Sequence, residues 1–190
     1  LVDFSPLRDT SLPENLQGLY LGGGYPELSA EELSANRPLL EEIRQRVERG
    51  LPVYAECGGF MLLSRAIDGR AMAGIFPWAA YMLAKRKALG YREVTFSADT
   101  PLGAAGTVAR GHEFHYSQMD LSAEAVPCYR LSRRGGEDLG GEGYRAFNAL
   151  GSYIHLHFAS NPQLAENFVE FCRTADRPGM TSRKSMRGTS

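Results

Sequence analysis

The sequence predicts an α/β fold built around a mostly parallel sheet, and three observations carry this prediction. Residues 18–68 alternate between apolar runs typical of buried strands and amphipathic runs typical of helices, in the order strand, helix, strand, helix. This order indicates parallel strands joined by right-handed crossovers. A glycine run follows the first of these strands, and a cysteine lies in a sharp turn after the second. Both turns fall at the carboxyl ends of strands, where parallel sheets bind their ligands.

Composition excludes several classes of function. The chain has 190 residues, of which 43% are hydrophobic and 23% are charged, and this favours one soluble domain with a substantial core. The formal net charge of -1 gives no basic excess for binding nucleic acid or an anionic membrane. No apolar run approaches the roughly 20 residues of a membrane helix, and the N-terminus lacks a signal-peptide pattern.

The cysteine content indicates a reducing compartment. Cys57, Cys128 and Cys172 are odd in number and widely spaced, which fits neither a disulfide framework nor a zinc site. We therefore expect a cytoplasmic protein.

The remaining elements follow from local patterns. A helix opening at Pro38 carries an apolar stripe over Leu39, Leu40, Ile43 and Val47 and ends at Gly50. Short strands are predicted over residues 1–5, 73–78, 91–96 and 107–110, and a loop rich in glycine and charge over residues 132–143.

Cys57 lies at the turn between the strand that opens at Pro52 and the next helix. Gly58 and Gly59 follow it and give a tight turn room for its backbone. A side chain at such a corner points outward, as in the nucleophile elbow of hydrolases. The positive end of the helix should lower the pKa of the Cys57 thiol, and the Gly58 N–H is a candidate oxyanion donor. The alternative is a structural cysteine buried in the core.

A run of three glycines, residues 22–24, ends the strand over residues 18–22. The run matches neither the dinucleotide-binding fingerprint nor a phosphate-binding loop with its lysine. It would let the backbone approach a ligand at the rim of the sheet. A plain strand-ending turn is the alternative.

Residues 111–117 hold two histidines and a carboxylate in a predicted strand. Alternation places His112 on one face and Glu113 and His115 on the other. No fourth ligand occurs at ordinary spacing, so we predict no metal site.

Residues 151–158 are predicted to form one strand, with Tyr153, His155 and His157 on the same face. A histidine at a strand end is the base that a distant cysteine nucleophile requires, although a lone histidine is often structural. A helix should start near Pro162, and the polar tail over residues 176–190 is expected to be disordered.

Four segments in this order and spacing resemble the glutamine amidotransferase domain of the cobyrinate a,c-diamide synthase family. The resemblance covers about residues 1–174 and rests on residues 21–28, 54–59, 111–117 and 152–158. It implies a flavodoxin-like, class I-like glutaminase domain over residues 1–175, which releases ammonia from glutamine.

The resemblance also implies roles for individual residues. Cys57 corresponds to the nucleophile, His155 to its base, and the backbones of Gly23 and Gly58 to the oxyanion hole. Class I amidotransferases carry a glutamate two residues after the histidine as the third member of a triad, and here that position is His157.

Because His157 stands where the family carries its triad glutamate, the residue that orients the His155 base is left open. Either the cysteine and histidine act as a dyad or another group, such as Glu113, serves, and we favour the dyad. His157, Glu113 and His115 are the candidate supporting residues.

In the family, an N-terminal synthetase domain that uses ATP and magnesium activates carboxylates of a corrinoid, and ammonia converts them to amides. No nucleotide-binding motif lies in this chain, so we expect no cofactor here and expect that domain as the partner. The family's domain also begins with a strand and a helix that precede the segment matching residues 1–6. We therefore expect a truncated domain that is poorly stable or pairs as a homodimer.

Three alternatives remain open. The chain would be the amidotransferase domain of a cobyric acid synthase, that of a related tetrapyrrole diamide synthase, or a non-catalytic interface module with the same fold. The intact Cys57 and His155 argue against the last of these.

Overall fold

The computed structural model describes residues 1–175, and the tail predicted to be disordered, residues 176–190, lies outside the described residues. The helices of this part are α1 (Ala30–Ala35), α2 (Arg37–Glu48), α3 (Gly58–Leu63) and α4 (Gln163–Thr174). Its strands, in chain order, are β1 (Leu19–Leu21), β2 (Val53–Glu56), β3 (Ala66–Ile67), β4 (Arg70–Ala71), β5 (Ala79–Met82), β6 (Ala88–Phe96), β7 (Val108–His115), β8 (Ser117–Met119), β9 (Tyr129–Ser132), β10 (Asp138–Glu142), β11 (Tyr144–Ala146), β12 (Ala149–Ser152) and β13 (Ile154–Leu156).

The first sheet contains both strands that the sequence predicted within residues 18–68. Its strand order is β1-β2-β12-β11, with β2 parallel to β1 and to β12, and with β11 antiparallel at one edge. The α/β class and the mostly parallel central sheet are therefore confirmed.

Two further sheets flank the first. The second sheet has the order β10-β9-β6-β7-β13 and is antiparallel throughout. The third sheet, β4-β3-β5-β8, pairs β3 and β5 in parallel and its other strands antiparallel. The strands predicted over residues 91–96 and 107–110 lie largely in β6 and β7, which confirms both.

Hydrophobic side chains cover both faces of the central strand β2. Along β2, Val53 and Ala55 pack into a buried cluster with residues of α2 and α3, whereas Tyr54 packs into a second cluster with β6, β9 and α4. A strand buried on both faces is held firmly in place. The residue that ends β2, Glu56, and the turn after it are thereby fixed in position.

The chain passes from the first sheet to the second at Tyr153, so the single strand predicted over residues 151–158 is wrong. β12 ends at Ser152 and β13 begins at Ile154. The break is stabilised by Glu142, which accepts hydrogen bonds from the Ser152 hydroxyl and from the Tyr153 N–H, the latter at 2.9 Å. This carboxylate substitutes for the ladder hydrogen bonds that a continuous strand would make.

Three other local predictions are also wrong. Residues 1–5 form no strand, and residues 73–78 form a loop in which the apolar side chains serve the core. Residues 132–143, predicted as a loop, contain β10, which forms a hairpin with β9. Glycines on the exposed strand β10 masked its alternation in the sequence.

Candidate active site

Cys57 occupies a strained turn between β2 and α3. Its backbone lies at φ 48° and ψ -102°, a conformation that a residue other than glycine adopts only where its surroundings enforce it. The Cys57 N–H donates to the Ser152 carbonyl at 2.7 Å, which anchors the turn to the end of β12. The predicted strand, sharp turn and helix are confirmed, and the geometry is that of a nucleophile elbow.

The glycine turn, residues 22–24, packs directly against this elbow. The Gly59 N–H donates to the Gly22 carbonyl at 3.1 Å. A Cβ on Gly58 would lie 2.8 Å from the Gly24 carbonyl oxygen, so no larger residue fits between the two turns. Residues that lie 34 positions apart in sequence are thus in contact at the carboxyl edge of the first sheet.

His155, in the middle of β13, has three close neighbours. A Cβ on Gly23 would lie 2.2 Å from its Cε1 atom, so the glycine turn packs on the imidazole edge. The ring of His112 stacks on it at a centroid distance of 4.6 Å and an angle of 7°. The Oε2 atom of Glu56 lies 3.8 Å from its Nδ1 atom. The glycine turn therefore contacts both the elbow and the predicted base.

The Cys57 thiol is a weaker acid than the sequence predicted. Its pKa is raised to about 11, and burial is the largest cause. The carboxylates of Glu27, Glu56 and Glu142 also raise the pKa, whereas the hydrogen bond from the Gly58 N–H lowers it. The prediction of a lowered pKa is wrong because desolvation of the thiolate outweighs the donors of the turn.

The imidazole of His155 favours its neutral form. Burial lowers its pKa; Glu56 opposes this, while His112 and His115 lower the pKa further. A neutral imidazole is the form that accepts a proton as a general base.

Glu113 and His115 form a separate buried cluster with Arg92. The Arg92 Nε–H donates to Glu113 at 2.8 Å, and the His115 Nε2 atom lies 2.9 Å from the other carboxylate oxygen. Burial raises the pKa of Glu113, but the hydrogen bond and charge of His115 and the charge of Arg92 outweigh it and lower the pKa below its ordinary value.

The sheet register keeps Glu113 away from His155. Glu113 pairs with Ile154, whereas His155 pairs with His112, and successive residues of a strand face opposite sides. The structure therefore does not bring Glu113 to the candidate base.

His157 lies just beyond β13 with an exposed side chain, and its N–H donates to the Arg110 carbonyl at 2.8 Å. Within residues 1–175, no hydrogen bond or ion pair of its imidazole is found.

Sequence reasoning missed two residues of the site, Glu56 and His112. Glu56 is a carboxylate in a strand that is buried at every position, next to the candidate nucleophile, and that rare placement was the available signal. His112 was noticed only as part of a motif, because its contact with His155 depends on the pairing of β7 with β13.

In the described part of the chain, no group of three or more histidine, cysteine or acidic side chains is placed to hold a metal ion. Over the same residues, no helix is both long and apolar enough to cross a membrane.

Comparison with known proteins identifies the family. A sequence profile of the CobB/CobQ-like glutamine amidotransferase domain matches residues 1–163. The cobyrinate a,c-diamide synthase of Syntrophotalea carbinolica is 45% identical over 182 residues, which cover 91% of this chain and 39% of that protein. The hydrogenobyrinate a,c-diamide synthase of Streptomyces coelicolor is 43% identical over 175 residues, which cover 92% of this chain and 35% of that protein.

Solved structures show the same fold. A crystal structure of a glutamine amidotransferase superposes with a TM-score of 0.58 at 20% identity, covering 84% of this chain and 81% of that one. PurLQS from Thermotoga maritima gives a TM-score of 0.60 at 14% identity, covering 85% and 82%. These likenesses confirm the flavodoxin-like amidotransferase fold.

The relatives also delimit what this chain represents. It spans less than two fifths of the length of the two diamide synthases, so it corresponds to one part of such proteins. The profile match over residues 1–163 and the identity above 40% agree with the four sequence motifs. The chain belongs to the CobB/CobQ-like glutamine amidotransferase domain family.

Proposed function

We propose that this chain is the glutaminase part of an a,c-diamide synthase and that it releases ammonia from glutamine at Cys57. The observation that carries the proposal is that the glycine turn over residues 22–24 contacts both the strained Cys57 elbow and the His155 imidazole, which packs on Gly23. This is the set of groups that cysteine-dependent acyl transfer requires.

The proposed reaction runs through a thioester. The Nε2 atom of His155 takes the proton of the Cys57 thiol while Sγ attacks the side-chain amide carbon of glutamine. The backbone N–H groups of Gly23 and Gly58 stabilise the oxyanion of the tetrahedral intermediate. The imidazolium returns its proton to the leaving nitrogen, ammonia departs, and water then cleaves the thioester to give glutamate.

The raised thiol pKa is compatible with this order of events. With a pKa of about 11, Cys57 is a thiol rather than a thiolate near neutral pH. Proton transfer to His155 therefore accompanies attack instead of preceding it, and the resting protein keeps little reactive thiolate.

The ammonia would be used by the rest of the protein. Two relatives are named for cobyrinate and hydrogenobyrinate, so we propose an acid of this type, amidated at its a and c carboxylates, as the final substrate. ATP and magnesium would act in the synthetase domain, and this chain would meet the corrinoid only through that partner.

Ammonia bypass tests the proposal in the full-length protein. Cys57→Ala should abolish amidation from glutamine and leave amidation from added ammonium salts at the wild-type rate, because free ammonia enters after the thioester. A glutamine-analogue electrophile should label Cys57 but neither Cys128 nor Cys172. Equal loss of both amidation reactions in a folded variant would overturn the glutaminase assignment.

A further inference from the structure

Glu56 is a buried carboxylate immediately before the candidate nucleophile. Its side chain is 5% exposed. The hydroxyls of Tyr20 and Tyr54 donate to it at 2.8 Å and 2.5 Å, and the backbone N–H of Leu156 donates to it at 2.9 Å. Every one of these partners is a neutral donor, so the carboxylate keeps its charge available for a further group.

The further group within reach is the imidazole of His155. Leu156 follows His155 in β13, so its hydrogen bond to Oε1 ties the Glu56 carboxylate to the strand of the base. The other oxygen, Oε2, accepts from the Tyr20 hydroxyl and lies 3.8 Å from Nδ1 of His155. Catalytic hydrogen bonds are often this long before substrate binds and shorten in the reacting complex.

We propose that Glu56 is the positioning residue for His155: its Oε2 atom accepts the Nδ1–H of the imidazole and so leaves Nε2 unprotonated toward Cys57. The inference rests on the proposed function of the chain as a glutaminase. It assigns the part of a triad carboxylate to the residue before the nucleophile, in place of the position two residues after the histidine.

The other buried carboxylates of this region are already committed elsewhere. One oxygen of Glu113 binds Arg92 and the other binds His115, on the face of β7 that points away from His155. Glu142 accepts from Ser152 and from the Tyr153 N–H at the break between β12 and β13. Among the described residues, Glu56 is the carboxylate found within 4 Å of the His155 ring nitrogens.

The arrangement has a consequence for the pH dependence of the reaction. The charged and titratable groups that act on His155 are Glu56 from β2 and His112 and His115 from β7. The first raises the pKa of His155 and the two histidines lower it. Because the base must be neutral, the acid limb of the rate profile follows this pKa, and removing the charge of Glu56 must move the limb to lower pH.

Glu56→Gln in the full-length protein tests the inference. The amide would place an N–H₂ donor opposite Nδ1 and so favour the tautomer that carries its proton on Nε2, which cannot accept from Cys57. We expect kcat for glutamine hydrolysis to fall about 10- to 100-fold with little change in KM, and the acid limb to shift to lower pH. Amidation from ammonium salts should stay at the wild-type rate, because free ammonia enters after the thioester. An unchanged denaturation midpoint of the amidotransferase domain should show that the variant is folded.

Tyr20→Phe is the matched control. It removes a neutral donor from the same Oε2 atom and leaves the charge of Glu56 in place. The acid limb should therefore stay where it is in the wild type. A limb that moves equally in both variants, or in neither, would overturn the positioning role and leave Glu56 as a structural residue.

A measurement on the unmodified protein keeps the inference testable even if Glu56→Gln does not fold. Nitrogen-15 NMR of the His155 ring should show the tautomer with Nδ1 protonated; the Nε2–H tautomer would overturn the inference. A protein in which Cys57→Ala lacks glutaminase activity but Glu56→Gln retains it refutes the inference alone. A wild-type protein without glutaminase activity refutes the proposed function instead.

Discussion

The structure contains two carboxylate–histidine pairs, one enclosed and one partly exposed, and the contrast between them distinguishes structural support from the proposed catalytic role. In the Glu113–His115 pair the carboxylate and the imidazole are 2.9 Å apart, and the His115 side chain is 6% exposed. In the Glu56–His155 pair the separation is 3.8 Å, and the His155 side chain is 21% exposed. The same residue types are thus closed in one place and accessible in the other.

The partners explain the difference. One carboxylate oxygen of Glu113 accepts from the guanidinium of Arg92, and the other is bound by the imidazole of His115. The positive charge of Arg92 therefore compensates the negative charge of Glu113. Glu56 is held by two tyrosines and a backbone N–H, which leave its charge uncompensated until His155 is protonated. A fully satisfied network rigidifies the structure, whereas an incompletely satisfied one can respond to a proton. The first pair supports the strand, and the second can serve the reaction.

The largest expected effect is the loss of activity in His155→Ala, and His157→Ala is its control. His155→Ala should reduce glutaminase kcat/KM by about 10²- to 10⁴-fold, because a general base is lost. His157→Ala should have a much smaller effect, since that side chain is exposed and β13 ends before it. Steady-state kinetics on the full-length protein measures the glutaminase kcat/KM of both variants. Equal losses would mean that the base has been assigned to the wrong histidine.

Disturbing the Glu113–His115 pair should lower the unfolding free energy of the protein. Arg92→Met removes the guanidinium from Glu113 and leaves the His115 imidazole to hold this buried carboxylate, which should cost up to about 3–5 kcal/mol of unfolding free energy. The control is Arg110→Met on the neighbouring strand, where the arginine is 77% exposed and lies 3.7 Å from Glu93. Its cost should stay below about 1 kcal/mol.

Urea denaturation of the full-length protein measures the unfolding free energy of both variants, taken from the transition in which the amidotransferase domain unfolds. Similar midpoints for Arg92→Met and Arg110→Met would show that the Glu113 cluster does not support the fold.

Features that depend on neighbouring residues were predictable from the sequence. The elbow at Cys57 and the glycine run before it follow from turn chemistry within a few residues, and α2 follows from its apolar stripe. The parallel arrangement of β1 and β2 follows from the helices that connect them.

The parts that were missed depend on distant partners. Glu56 gains its role from Tyr20 and Leu156, which lie 36 and 100 positions away. The break at Tyr153 depends on Glu142 of a different strand. The raised pKa of Cys57 reflects burial that no local pattern measures.

Glu142 extends the comparison to a buried carboxylate bound only by neutral donors. Burial raises its pKa to about 7, and the hydrogen bonds from Ser152 and Tyr153 oppose this only in part. The folded protein therefore binds this proton more tightly than the unfolded chain does. Its contribution to stability is full below the ordinary pKa of 4.5 and is lost as the pH rises through about 7.

Glu142→Gln isolates this effect from the other titrating groups. Between pH 5 and 8, as an order of magnitude, the variant should gain roughly 2 kcal/mol of unfolding free energy relative to the wild type. Denaturation at a series of pH values measures the difference. Parallel curves would show that Glu142 is already ionised in the folded protein at pH 5.

The smallest effect is expected from the contact between the glycine turn and the accessible histidine. At Gly23 a methyl group would lie 2.2 Å from Cε1 of His155, whereas at Gly24 nothing lies within 4 Å. Neither residue has the left-handed backbone that disfavours alanine, so the comparison isolates the contact itself. Gly23→Ala should lower kcat for glutamine hydrolysis about tenfold by displacing the imidazole, and Gly24→Ala should lower it less than about threefold. Amidation from ammonium salts should be unchanged in both. If the two variants lose activity equally, the turn acts on the substrate through its backbone alone, and the close packing on His155 is not what positions the base.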